Sequence, residues 1–188
     1  MEASRKRLLE RLRSDAWRRG TFRLASGRES DFFIDCKQVI LTSEGHRLTG
    51  RVLCDVIREA GLAEGLDAVA GVALGGCPLA SAVSLTSGLD AEPGWDALYV
   101  RKEAKDHGTA RRIEGRVSLA ASLGVVLLED VLTTGGSSRV AVEALRADGH
   151  TVLGVVALVD RREGGREALE ALGLRVIPVF TRADFLGE

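Results

Sequence analysis

One short stretch of the chain combines acidic, hydroxyl and glycine residues at a spacing that suits a phosphorylated ligand. It reads VVLLEDVLTTGGSS, residues 125–138, and takes an apolar run directly into Glu129 and Asp130. The glycine pair permits close backbone approach, the hydroxyls are donors, and a helix beginning near Ser138 would direct unpaired N–H groups to the same point. Such a loop suits a phosphate monoester, although for the loop alone a glycine-rich turn without a ligand is an equal alternative.

Glu129 and Asp130 favour a ligand with a second chemical character. Charges at the end of a buried strand are costly unless they are solvated, paired or bound to a ligand. A vicinal diol, such as the 2- and 3-hydroxyls of ribose, donates to two carboxylates at once, and a divalent cation would screen them further. The stretch therefore predicts a sugar-phosphate site. The sequence has no Gly-Lys pair, which a P-loop requires, and it lacks the dinucleotide-binding fingerprint G-x-G-x-x-G.

Positioning these side chains requires a sheet whose strands end at one edge. Short apolar runs predict strands at residues 67–74, 96–101, 125–128, 152–159 and 174–180. Helix-like stretches lie at residues 78–87, 138–147 and 165–172. Strands that are apolar on both faces and alternate with helices are typical of an α/β protein, in which helices cover a central parallel sheet on both sides.

The N-terminal part of the chain predicts a smaller appendage to this sheet. The spacing of leucine and tryptophan indicates a helix over residues 4–19, and the following segment predicts a hairpin around the turn SGRES. A further helix is predicted from Ser43 to Ala60, with Ser43 as its N-cap. We interpret residues 1–188 as one domain, to which residues 1 to about 40 contribute the helix and the hairpin.

Composition argues against several classes of function. The formal net charge of −1 disfavours a charge-dominated nucleic-acid surface. Cys36, Cys54 and Cys77 are widely separated and form no C-x-x-C pair, so they predict neither a disulfide framework nor a zinc site and fit a reducing cytoplasm. No stretch approaches about 18 uninterrupted apolar residues and the N-terminus has no apolar signal segment, so we expect neither membrane insertion nor secretion.

Ligands of open parallel sheets bind beyond the carboxyl ends of the strands, which selects further residues. Gly75 and Gly76 follow the first predicted strand, Arg101 ends the second and leads into a polar stretch, and Arg161 follows the fourth. In that polar stretch, basic side chains that could bind an anion recur within a few positions: Arg101, Lys102, Lys105 and His107.

Three segments together resemble a known enzyme family. EDVLTTGGS resembles the phosphoribosyl-pyrophosphate signature of the type I phosphoribosyltransferases, in which paired acids precede a T-x-G loop. YVRKEAKDHGTARRIEG, residues 99–115, resembles the mobile catalytic loop of orotate phosphoribosyltransferases, with the spacing R-K-x-x-K-x-H-G. FRLASGRESDFFIDCKQV resembles the N-terminal segment of the same enzymes, and the similarities run over most of the chain.

This resemblance implies a fold and a reaction. The fold is the type I phosphoribosyltransferase fold, a central parallel sheet flanked by helices with a small N-terminal hood. The reaction transfers ribose 5-phosphate from phosphoribosyl pyrophosphate to orotate, giving orotidine 5′-phosphate and pyrophosphate in pyrimidine biosynthesis. Mg²⁺ is required and is held mainly by the donor, so no protein ligand is assigned to it. A homodimer is implied, in which the loop of one subunit reaches the site of the other.

The resemblance also assigns roles to individual residues. Lys105, His107 and Asp130 are expected to be catalytic, and Lys105 is the stronger candidate for stabilising the departing pyrophosphate because its charge is constant near pH 7. Orotate is expected to contact Thr133, Arg161 and Phe33. The residues expected to bind phosphoribosyl pyrophosphate are Arg101, Lys102, Lys105, His107, Glu129, Asp130, Val131, Leu132, Thr133, Thr134, Gly135, Gly136 and Ser137.

Some assignments stay open at the level of sequence. Arg162 could be confused with Arg161, and one of Phe32 and Phe33 is as well explained by ordinary packing. Some relatives carry lysines where this chain has Ala25 and Gly75, so two cationic roles have no residue. A purine phosphoribosyltransferase would share EDVLTTGGS without the R-K-x-x-K-x-H-G loop. A regulator of the same fold would be expected to add a nucleic-acid-binding element, which the sequence does not indicate.

Overall fold

A computed structural model of the protein describes residues 2–23, 29–91, 93–101, 112–115 and 122–186. Its helices are α1 (Glu2–Arg11), α2 (Lys37–Ile40), α3 (Ser43–Glu59), α4 (Gly76–Asp90), α5 (Gly136–Ala147), α6 (Gly165–Glu170) and α7 (Arg182–Leu186). Its strands are β1 (Trp17–Arg23), β2 (Glu29–Ile34), β3 (Ala68–Val72), β4 (Asp96–Val100), β5 (Ile113–Glu114), β6 (Gly124–Leu132), β7 (Thr151–Asp160) and β8 (Val176–Thr181).

The central sheet has the strand order β5-β4-β3-β6-β7-β8. All neighbouring pairs are parallel except β4 with the short strand β5, and β1 pairs with β2 as a separate antiparallel hairpin. The α/β class predicted from the sequence is confirmed, and so is the antiparallel pairing of the two hairpin strands, whereas most of the predicted turn SGRES lies outside the described residues. From β3 the chain moves outward to β4, and from β6 it moves in the opposite direction to β7 and β8. The order of the strands therefore reverses between β3 and β6.

Two apolar layers cover the sheet, one on each face. One layer joins α1, α3 and α4 to the sheet through side chains such as Leu53 and Leu79, and the other joins α5 and α6 to it through Leu145 and Leu169. Strand β3 is buried at every position, as a strand between two such layers must be. No helix among the described residues has the length and apolar character needed to cross a lipid bilayer.

Among the boundaries that differ from the sequence-based expectation, three have a clear structural cause. The first helix ends at Arg11 rather than near residue 19, because a π-helical turn leads into β1, whose first residue, Trp17, pairs with Ile34. The N-cap of α3 is Thr42, whose side chain accepts the Gly45 N–H, not Ser43. Strand β6 continues through the acidic pair to Leu132, because its ladder with β7 persists after the apolar run ends.

Candidate active site

The candidate site lies where β3 and β6 end side by side. Helix α4 leaves the end of β3 toward one apolar layer, and α5 leaves the end of β6 toward the other. The crevice between such diverging connections is where open α/β sheets bind ligands. Gly75 and Gly76 therefore face the segment from Glu129 to Ser137 across the reversal point, as the strand-end rule predicts.

The loop before α5 has the geometry of an anion site. Gly135 has φ 78°, a left-handed conformation that favours glycine, and α5 begins at the next residue. Gly165 supports the loop from α6, since a Cβ at that position would overlap the carbonyl oxygen of Thr133. Thr134, Gly136 and Ser137 are exposed at this end of the helix. Helix N-termini with exposed N–H groups favour phosphate.

Glu129 connects the end of β6 to the first turn of α5. Its side chain is buried, and its Oε2 accepts hydrogen bonds from Ser137 Oγ at 3.0 Å and from Ser138 Oγ at 2.6 Å. Burial raises the pKa of the Glu129 carboxyl from 4.5 to about 7, against the lowering effect of the Ser138 hydrogen bond. The sequence indicated a carboxylate open to ribose, whereas the structure gives this carboxylate two internal hydroxyl partners. Ser138, completely buried, was not selected from the sequence.

Asp130 is half-buried and lies directly against the loop that follows β3. A Cβ built on Gly75 would overlap Oδ2 and Cγ of the Asp130 carboxylate. The Asp130 carbonyl oxygen lies 3.9 Å from the thiol of Cys36, which burial gives a pKa well above its usual value. Asp130 is thus held between the loop after β3 and the segment after the hairpin. Sequence reasoning could not find these contacts, because the three residues are far apart in the chain.

A cavity of about 300 Å³ opens beside the phosphate loop. Apolar side chains form most of its wall, and Arg101 and Ser137 supply polar groups. Arg101 Nε lies 3.1 Å from Glu114 Oε1 on β5, which orients the guanidinium at the end of β4. The cavity is lined by Val72, Val100, Arg101, Gly136, Ser137, Val140 and Ala141. Lys102, Lys105 and His107 lie outside the described residues.

Arg161 and Phe33, predicted for the acceptor, occupy different surroundings. The backbone N–H of Arg161 donates to the Leu132 carbonyl at 3.0 Å, and its Nη2 lies 2.7 Å from Glu163 Oε1. Its guanidinium carbon lies 5.7 Å from the ring centroid of Phe32. Phe32 is fully buried, whereas Phe33 is 41% exposed on the hairpin. Packing therefore accounts for Phe32, whereas the Phe33 ring is partly exposed and its centroid lies 5.2 Å from that of Phe22 on β1.

Arg161 and Arg162 can also be distinguished. The Arg161 side chain is buried next to the strand that carries Leu132, whereas Arg162 is exposed and has φ 56°. Burial and backbone conformation thus distinguish the two arginines, and the assignment of Arg161 to the acceptor stays a prediction.

The arrangement of acidic side chains determines which kind of Mg²⁺ site the protein fits. In the described part of the chain, no cluster of three or more His, Cys, Asp or Glu side chains is arranged to hold a metal ion. Mg²⁺ commonly keeps several waters and binds one or two carboxylates together with substrate phosphates. A half-buried Asp130 next to a phosphate loop fits that pattern, so the residues present fit an ion that arrives with a phosphorylated ligand.

Comparison with known families defines the class of the protein. Residues 46–172 match the family described as phosphoribosyl transferase domain, a range that runs from the first turn of α3 to just beyond α6 and includes the phosphate loop. This match covers more than half of the chain. The chain belongs to the phosphoribosyl transferase family.

Individual relatives narrow this class. The chain is 55% identical to orotate phosphoribosyltransferase of Sorangium cellulosum, over 99% of this chain and 95% of that protein. It is 43% identical to the enzyme of the same name from Nostoc sp., over 96% of this chain and 84% of that protein. The structure of Mycobacterium tuberculosis H37Rv orotate phosphoribosyltransferase in complex with 5-phospho-alpha-D-ribosyl 1-diphosphate superimposes with a TM-score of 0.77 at 34% identity, covering 97% of this chain and 98% of that one. Within its family, the chain groups with the orotate phosphoribosyltransferases.

Proposed function

We propose that this protein transfers ribose 5-phosphate from phosphoribosyl pyrophosphate to orotate, releasing pyrophosphate. The observation that carries the proposal is the sugar-phosphate site at the reversal point, in a chain 55% identical to an orotate phosphoribosyltransferase. The exposed N-terminus of α5 binds the 5-phosphate, and the acids at the end of β6 bind the ribose hydroxyls. The backbone of Gly75 and Gly76 faces the pyrophosphate.

The chemistry explains why acids and cations are needed together. Breaking the C1–O bond to pyrophosphate develops positive charge on the ribose ring and negative charge on the leaving group. Asp130 and Glu129 stabilise the positive charge on the ribose ring. Arg101 and the basic residues of the following loop stabilise the negative charge on the pyrophosphate. A loop that covers the site also keeps water away from the reactive ribose. Lys105 and His107 act on the departing pyrophosphate.

Mg²⁺ is part of the proposal. When bound, the ion would supply positive charge that offsets the charge of the leaving group. The donor would provide most of its ligands, and the half-buried Asp130 beside the phosphate loop is the residue that would contact it or its waters. Asp130 otherwise holds the ribose in place, which orients C1 toward the acceptor.

The acceptor site uses Arg161, Thr133 and Phe33. Orotate is a planar ring with a carboxylate, so it calls for a cationic or hydroxyl donor together with an apolar face. Arg161 adjoins the phosphate-loop strand, and the exposed Phe33 ring lies on the hairpin that forms the hood. We further propose that the reaction takes place in the cytoplasm, which the dispersed cysteines support.

The choice of acceptor can be tested directly. Incubated with phosphoribosyl pyrophosphate and Mg²⁺, the protein is expected to release pyrophosphate at least about 100-fold faster with orotate than with hypoxanthine, because only orotate carries a carboxylate for Arg161. A coupled pyrophosphate assay measures both rates. Release with hypoxanthine alone would identify a purine enzyme, and release with neither base would favour a regulator.

A homodimer is proposed on the basis of the outer face of α4. Leu85 and Leu89, four residues apart on this helix, are 61% and 79% exposed, and Leu74 in the loop before it is 73% exposed. Leu85 and Leu89 lie toward the C-terminal end of α4 and Leu74 precedes its N-terminal end, and exposed apolar side chains of this kind suit a protein interface. Leu74 adjoins Gly75 on the pyrophosphate side of the site, so a second copy bound there could contribute its loop to this site.

Mixing two inactive variants tests whether sites are shared. Lys105→Ala removes the loop cation and Asp130→Asn removes a ribose-binding charge, so each pure variant is expected to be severely slowed. After mixing and exchange of subunits, about a quarter of wild-type activity is expected to return, since mixed dimers carry one unmodified composite site. Activity is measured before and after exchange. No recovery in an exchanged mixture would mean that each subunit uses its own loop.

A further inference from the structure

The loop after β3 supplies no cationic side chain at Gly75 for a negatively charged donor. Gly75 contributes no side-chain charge to the loop after β3, and the Asp130 carboxylate occupies the space that a side chain at this position would need. No side chain, and so no lysine, fits at position 75 unless Asp130 moves. A donor with several negative charges must be neutralised from another direction.

The link between the hairpin and α2 approaches Asp130 from the opposite side. This link is Asp35, Cys36 and Lys37, and its central residue is fully buried with its thiol 3.9 Å from the Asp130 carbonyl oxygen. Cys36 therefore fixes the link against the end of β6. The residues on either side of it, one anionic and one cationic, are brought to the edge of the site.

Lys37 carries a positive charge toward this edge. Its Nζ lies 2.6 Å from Asp35 Oδ1, and its side chain is 37% exposed, so the ammonium is held but still reaches solvent. The hydrogen bond with Asp35 is the main cause that raises the pKa of Lys37, and the negative charge of Asp130 adds to it. The ammonium of Lys37 therefore stays protonated and interacts with the ribose-binding acid.

The partners of Asp35 leave Lys37 able to bind a second anion. Gln38 Nε2 donates to Asp35 Oδ2 at 3.1 Å, and the Lys37 backbone N–H donates to Asp35 Oδ1 at 3.3 Å. Asp35 is thus held by groups other than the ammonium. An ammonium has three donors on a flexible stem, so Lys37 can retain Asp35 and also contact a ligand oxygen.

Amino-acid usage agrees with a specific requirement for lysine. The chain has 26 lysine and arginine residues, of which four are lysine: Lys6, Lys37, Lys102 and Lys105. Two of the four belong to the predicted catalytic loop. A compact point charge suits a phosphate that must later depart, whereas an arginine fork holds it in a fixed geometry.

We propose that Lys37 is a donor-binding residue, whose ammonium contacts the pyrophosphate end of phosphoribosyl pyrophosphate beside Asp130 and supplies the charge that Gly75 cannot. The inference rests on the proposed function. It adds a cation from the N-terminal hood to the site, so that the hood takes part in binding the donor as well as the acceptor.

Titration calorimetry with pyrophosphate and Mg²⁺ tests the inference without turnover. Lys37→Met is expected to weaken pyrophosphate binding about tenfold, because a charge-assisted hydrogen bond is lost. In steady-state assays KM for phosphoribosyl pyrophosphate should rise by a similar factor, with KM for orotate unchanged. Lys37→Arg should recover part of the loss. Lys6→Met, an exposed lysine on α1, is the matched control and should bind pyrophosphate as the wild type does.

A double-mutant cycle with Asp35→Asn separates donor binding from simple neutralisation of Asp35. If Lys37 contacts the donor, Lys37→Met weakens pyrophosphate binding in both backgrounds, and Asp35→Asn alone leaves binding unchanged or stronger. If Asp35→Asn alone weakens binding as much as Lys37→Met and the double variant adds nothing, the inference is overturned. Unchanged binding by Lys37→Met overturns it as well.

These outcomes remain distinct from failure of the proposed function. Wild-type protein that releases no pyrophosphate with orotate would remove the assigned reaction, whatever the calorimetry gives. Wild-type turnover with orotate, combined with unaltered donor binding by Lys37→Met, would remove only the role of Lys37. Urea unfolding of each variant checks that the half-exposed substitution leaves the fold intact.

Discussion

Gly75→Ala is expected to lower kcat/KM about 100-fold and to change the free energy of unfolding by less than about 1 kcal/mol. The added Cβ would overlap the Asp130 carboxylate, which must rotate away from its place beside the ribose site. The fold should tolerate the change, because Gly75 has φ −66° and ψ −33°, which alanine adopts readily. Steady-state kinetics with orotate and urea unfolding at one protein concentration measure the two quantities.

A double-mutant cycle shows whether the effect of Gly75→Ala passes through Asp130. The Asp130→Asn variant already lacks the carboxylate that the added methyl group would displace, so Gly75→Ala should have little further effect on kcat/KM in this background. Equal losses in both backgrounds would mean that the methyl group acts on the pyrophosphate loop itself. A large fall in unfolding free energy would show instead that the glycine is required for packing.

The sheet could be predicted because its signals are local and repeated. Apolar runs separated by helix-like stretches indicate a sheet that is buried on both faces. In the structure, the reversal of strand order between β3 and β6 accompanies the packing of α4 and α5 on opposite faces of the sheet. The acidic pair was found for the same reason, since charge at the end of an apolar run is unusual. Glu129 and Asp130 thus stand out in the sequence before any contact is known.

The orientation of those acids could not be predicted, because it depends on contacts between distant segments. Nothing near Asp130 in the chain indicates that its carboxylate lies on Gly75 or that Cys36 lies against its carbonyl oxygen. The partnership of Glu129 with Ser138 had a local signal, nine residues apart, that was missed. The sequence pattern indicates Ser138 only as the start of a helix, although its hydroxyl in the first turn of α5 reaches back to the strand that precedes the helix.

The end of the first helix shows how tertiary pairing overrides a local pattern. Helical spacing continues past Arg11, but Trp17 contributes more by packing against Phe32 and Phe185, at ring-centroid distances of 6.3 Å each. That packing fixes β1 next to β2 and leaves a π-helical turn as the connection. The periodicity of apolar residues carries no information about a strand pairing that forms only with a distant segment, so it cannot predict where this helix ends.

Glu129→Gln is expected to stabilise the protein at pH 8 by about 3 kcal/mol, the free energy that corresponds to a pKa raised from 4.5 to about 7. The folded-state pKa lies above the unfolded one, so the folded protein binds the extra proton. The stability from that proton is complete below about pH 4.5 and is lost as the pH rises through about 7. The neutral glutamine carries no such penalty, and its carbonyl oxygen can still accept from Ser137 and Ser138.

Urea unfolding of the unliganded protein at pH 5 and pH 8 measures this difference. The variant and the wild type should be nearly equal at pH 5 and should diverge at pH 8, whereas Glu143→Gln, a 63% exposed position on α5, should behave alike at both. A constant offset between Glu129→Gln and wild type would mean that the carboxyl of Glu129 titrates at its ordinary value. The stabilised variant should also turn over more slowly, because an amide accepts the ribose hydroxyls less strongly than a carboxylate. The buried charge of Glu129 would then be a cost in stability that donor binding requires.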